Sequence, residues 1–127
     1  HWEKASNYIE RNKCILSSNI HTETENTIMV DYSSIIEEDS KLYDNSTIML
    51  LNLLKKSKPS KIFIAGFDGL RQQQDNYVDN SFLNIHHTMS IDEINEEVKK
   101  LYEIFKNKTT NKINVQLLTP SLYEEGK

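Results

Sequence analysis

Apolar positions fall along this chain in two alternating rhythms, short continuous runs and longer stretches with a spacing near 3.6. Lys13–Ser17 (KCILS) and Thr27–Val30 (TIMV) are compact apolar runs closed by polar residues, and both read as strands. Lys61–Ala65 (KIFIA) is the clearest of these runs, rich in isoleucine and closed by Gly66, and Ile113–Leu118 (INVQLL) repeats it before Pro120. Between them, Asn45–Ser57 carries Ile48, Leu51 and Leu54 at helical spacing, with Asp44, Asn45 and Ser46 as candidate N-caps and Pro59 as a stop. Ile91, Ile94, Val98, Leu101, Tyr102 and Phe105 form a longer helical stripe. Ser90 with Glu93 three residues on is the capping-box spacing, so that helix has a well-specified start. Lys4–Arg11 predicts a further short helix with Ala5, Tyr8 and Ile9 on one side.

Continuous rather than alternating strand runs imply a sheet covered on both faces, and intervening helices imply parallel crossovers. The expected class is therefore α/β: a Rossmann-like three-layer sandwich with a mostly parallel sheet, incomplete, the carboxy-terminal part of such a domain. The 127 residues suit one domain able to bury roughly two-thirds of its unfolded surface. Residues 1–127 are read as a single domain fragment from the carboxy-terminal part of a longer protein.

Composition narrows the function classes. A formal charge of −4 argues against an electrostatic nucleic-acid binder. Cys14 is the one cysteine, so neither an internal disulfide nor a cysteine metal cluster is expected. No apolar stretch reaches membrane-spanning length and the first residues lack signal-peptide character, so a cytoplasmic protein is the expectation.

In sheets of this class, ligands bind outside the carboxyl ends of the strands. Ser17–Ser18–Asn19, Gly66–Phe67–Asp68–Gly69 and the residues after Leu118 are thus expected to converge. Ser46 opens a helix whose free N–H groups suit a phosphate or ribose. Gly66 and Gly69 are two of only three glycines, and glycine permits positive φ or close approach to a ligand. The competing reading is a plain strand-ending turn in which Asp68 caps backbone. His87, beside His86, is the candidate proton carrier, with Asp68 or Asp75 to tune it, or else the two histidines merely decorate a loop. No metal site is expected, for want of a third ligand. Lys55, Lys56 and Lys58 suit a helix carboxyl end, and 37–39 reads as surface.

The series SSN, NSTIMLLNLL, KIFIAGFDG, HHTMSID and VQLLTPSL resembles the second half of small bacterial CMP-sialic-acid sialyltransferases and the related MptE-like pterin pyrophosphokinase domains. That likeness implies Asn19 and Ser46 as nucleotide contacts. It places a Gly-x-Asp element on Gly66 and Asp68, and a catalytic histidine, followed by serine and with an aspartate five positions later, on His87, Thr88 and Asp92. Thr47 stands where the family has glycine, the family's opening strand and Gly-rich phosphate loop have no counterpart, and the tyrosines that hold the sugar phosphate in the family have no clean match, Tyr77 being a loose one. NSTIMLLNLLK and KIFIAGFDG are also similar to the carboxy-terminal domain appended to HMG-CoA-lyase-like or 4-hydroxy-2-oxovalerate-type aldolases of bacterial surface-polysaccharide loci. This second likeness implies an accessory nucleotide- or nucleotide-sugar-binding domain, partnered by an amino-terminal aldolase barrel of the same polypeptide. A glycosyltransferase half and a structural or oligomerising domain with a decayed site are the alternatives. The isolated chain is expected to catalyse neither sialyl transfer nor aldol cleavage.

Overall fold

A computed structural model of the chain describes residues 2–22, 24–71, 89–109 and 113–124. The elements run α1 (Trp2–Arg11), β1 (Cys14–Ser17), β2 (Thr27–Val30), a 3₁₀ turn at Tyr32–Ser34, α2 (Ser46–Lys56), β3 (Lys61–Ile64), α3 (Ile91–Thr109) and β4 (Asn114–Leu117). The expected helices and strands are all present, with ends shifted by one or two residues. The protein is mixed α/β, and its described strands form two parallel pairs, β1–β2 and β3–β4.

Two compact units divide the chain, 1–35 and 36–127. In the first, Cys14 pairs with Thr27 and Ser17 with Val30, and residues 18–26 make the connection. The strand exits are tied by hydroxyls and backbone: the Ser18 N–H donates to the Val30 carbonyl at 2.8 Å, and the Tyr32 N–H donates to Ser18 Oγ at 2.9 Å. Asp31 starts the 3₁₀ turn by accepting from the Ser33 N–H. The helix side expected of Ala5, Tyr8 and Ile9 is not a buried one: Ile9 is buried, while Ala5 and Tyr8 are exposed.

The second unit holds the larger core. Asn45 caps α2, its Oδ1 accepting from the Ile48 N–H at 3.2 Å. At the other end the Lys58 N–H donates to the Lys55 carbonyl, and Lys58 takes φ +52° just before Pro59. That is the left-handed residue with which many helices terminate, here filled by a lysine instead of glycine. The capping box of α3 forms as its spacing predicts: the Glu93 N–H donates to Ser90 Oγ at 3.2 Å, and the Ser90 N–H to Glu93 Oε2 at 2.8 Å. These bonds to Ser90, backbone first, hold the Glu93 carboxyl below the ordinary glutamate range.

The α3 stripe buries Ile94, Val98, Leu101, Tyr102 and Phe105 in one cluster with Ile48 and Leu51 of α2 and Ile62 and Ile64 of β3. Each such side chain contributes about 1.5–3 kcal/mol through removal from water. Val115 and Leu117 pack on this cluster but stay partly exposed. Ser40 Oγ donates to Glu97 at 2.9 Å, and Lys108 pairs with Glu37 at 2.8 Å, so two polar contacts fix the 36–44 connection to α3.

One expectation needs correction. The continuous run KIFIA implied a strand covered on both faces, but burial alternates along β3: Ile62 and Ile64 are buried while Phe63 is 57% exposed. The parallel register pairs Ile62 with Val115 and Ile64 with Leu117, which puts these four on the core side. Lys61, Phe63, Asn114 and Gln116 take the other side, because successive strand residues point to opposite faces. Both described helices of this unit contribute to the same cluster, so the described residues cover one face of the pair.

Candidate functional site

The ends of β3 and β4 are where this fold gathers polar groups. The Leu118 N–H donates to the Ile64 carbonyl at 2.7 Å and closes the ladder. Gly66, at φ +73°, then swings the chain away from the strand direction. Its N–H donates to Thr119 Oγ1 at 3.0 Å, and the Thr119 hydroxyl donates onward to Asp68 Oδ1 at 2.6 Å. The second of these is a short, charge-assisted bond, roughly twice as strong as a neutral one. Gly66, Thr119 and Asp68 therefore form a chain of donors and acceptors that ties one strand exit to the other.

Phe67, between the glycine and the aspartate, turns inward. Its ring meets Tyr102 edge-on at 5.5 Å and Tyr123 at 4.5 Å. The Phe67 carbonyl accepts from the buried Ser121 hydroxyl at 2.6 Å, and the Asp68 carbonyl accepts from the Leu122 N–H at 2.9 Å. Gly69, at φ +93°, lets the turn close on Leu122: a Cβ at this position would stand 2.9 Å from Leu122 Cδ1. Asn95 of α3 then clamps the outgoing chain, accepting from the Leu70 N–H at 2.9 Å and donating to its carbonyl at 2.8 Å.

Electrostatics around the turn favour neutral phenols. Burial, with the Asp68 charge adding to it, pushes the Tyr123 hydroxyl up to about 12. Burial and then Glu124 do the same to Tyr102, also to about 12, and the Lys106 ammonium sits 4.5 Å over the Tyr102 ring. At neutral pH both tyrosines are thus protonated and cannot act as bases. Among the described residues a Cβ added at Gly66 would meet nothing within 4 Å, so they leave open space beside this exposed part of the turn. Backbone there is accessible to a ligand, whereas the Asp68 Oδ1 atom is already engaged by Thr119.

The expected site residues are distributed as follows. Gly66 and Asp68 come together, joined by Thr119, so the anticipated meeting of the Gly66–Gly69 turn with the residues after Leu118 is observed. Ser46 is the exposed first residue of α2, and the capping role beside it belongs to Asn45. Asn19 is exposed in the turn after β1, its Oδ1 accepting from Ser17 Oγ at 2.6 Å, and it belongs to the 1–35 unit. His87, with His86, Thr88, Asp75 and Tyr77, lies outside the described residues. Thr119 and Ser121 were not singled out from sequence. Their signal is a hydroxyl two and four positions past the end of β4, which is too common to mark a site unaided.

Among the described residues, no group of three or more His, Cys, Asp or Glu side chains is placed to hold a metal ion. No described helix is long and apolar enough to cross a membrane. No protein-family model matches the chain, and no curated protein or solved structure matches it significantly.

Proposed function

We propose that this chain is the carboxy-terminal part of a Rossmann-like domain serving a longer aldolase-like protein as an accessory module, and that it binds a nucleotide or nucleotide sugar at the exit of β3. The observation that carries the reading is the Gly66 turn. It stands at the carboxyl end of a parallel strand, and the described residues leave open space beside its Cα, at the place where α/β folds receive ligands. Supporting it, β3, α3 and β4 make a strand–helix–strand unit with parallel strands, and a single cysteine suits a reducing cytoplasm.

The decisive experiment is amide chemical-shift mapping of this chain with CMP, UDP and their sugar conjugates at millimolar concentration. Shifts centred on Gly66, Gly69 and the Thr119 amide are expected. Saturable shifts elsewhere, or none, overturn the assignment.

One observation favours a second reading, a structural domain with a decayed site. Asp68 spends Oδ1 on Thr119, which in turn satisfies Gly66, so this polar chain is complete without a ligand. Under that reading Thr119→Val lowers stability and no nucleotide shifts any resonance.

A further inference from the structure

We draw no further inference here: the strongest candidate, the open face of the β3–β4 pair on which Phe63 stands exposed between Lys61 and the polar Asn114 and Gln116, carries nothing because nothing in the structure shows what covers it.

Discussion

Among the described residues two parallel strand pairs of the same length occur, and only one of them carries buried residues. In β3–β4, Ile62 and Ile64 lie beneath the α3 stripe and α2. In β1–β2 no strand residue is buried, and Ile15 is 59% exposed although CILS is as apolar as KIFI. The difference lies in what each unit sets against its strands. The larger unit has a helix with five large side chains on one stripe, whereas α1 offers Ile9 as its buried position among the described side chains. A strand's composition thus creates the capacity for burial, and an amphipathic helix facing it realises that capacity.

The largest test of this contrast is to cut the core on one side only. Phe105→Ala removes a side chain that is almost wholly buried, and a cost of about 3–5 kcal/mol is expected. Ile28→Ala, at a half-exposed strand position, should change stability by no more than about 0.5 kcal/mol. Urea unfolding followed by circular dichroism measures both. Equal losses would show that β1–β2 has a cover which the described residues do not supply.

The strand exits sharpen the comparison. β1 leaves through Ser17, Ser18 and Asn19, whose hydroxyl and amide groups make the turn, whereas β3 leaves through two glycines at positive φ. Gly69→Ala combines an unfavourable φ with a contact against Leu122, so a loss of about 1–3 kcal/mol is expected. Gly66→Ala meets no described residue and should cost only the backbone term, about 1–2 kcal/mol. Thermal melts of the two variants rank them. A larger loss at Gly66 would mean that the space beside it is filled in solution.

Much of this was legible from the sequence where the cause is local. Ser90 and Glu93 announce their capping box because both partners lie within one turn, and Ile94 to Phe105 announce their stripe because a helix has a fixed period. The strand pairs were legible as runs, but Phe63 was not legible as exposed. An apolar run does not say how many faces will be covered, since that depends on elements far along the chain. At the site, Gly66 and Asp68 were visible through the scarcity of glycine. The Thr119 hydroxyl that joins them stands 51 residues from Asp68, and no local pattern encodes such a meeting. The capping alternative for Asp68 came close to what is seen, with a threonine hydroxyl between the carboxylate and the backbone N–H.

Two tyrosines of the larger unit make stability sensitive to alkaline pH. Tyr102 and Tyr123 ionise in the folded chain only near 12, against about 10 when exposed. Between those values the unfolded chain has released phenolic protons that the folded chain retains, so stability is intact below about pH 10 and falls as pH rises toward 12. Tyr102→Phe should flatten the alkaline slope. Because the Tyr102 hydroxyl is buried with no hydrogen-bond partner among the described residues, the same change should not destabilise the protein at neutral pH. An alkaline slope left unchanged in Tyr102→Phe would overturn this assignment.

One substitution is expected to stabilise, and it contrasts the ends of α1 and α2. After α1 the Asn12 side chain donates to the Tyr8 carbonyl at 2.8 Å, so one late carbonyl is satisfied by a side chain. After α2 the same need is met by backbone: Lys58 adopts φ +52°, the one non-glycine residue at positive φ among those described, and its N–H reaches the Lys55 carbonyl at 3.1 Å. A left-handed conformation costs an L-residue roughly 1–2 kcal/mol, and glycine escapes that cost while losing somewhat more backbone freedom on folding. Lys58→Gly should therefore stabilise the chain by about 0.5–1 kcal/mol, seen as a higher urea midpoint with an unchanged slope. The lysine charge near the helix end works in the opposite sense, since cations there complement the dipole, but Lys55 and Lys56 remain to supply it. Lys58→Ala separates the two terms, because it removes the charge and keeps the strain. Stabilisation by glycine together with a slight loss on alanine would assign the gain to backbone conformation. A loss in both variants would show that the lysine side chain matters more than the strained φ it occupies.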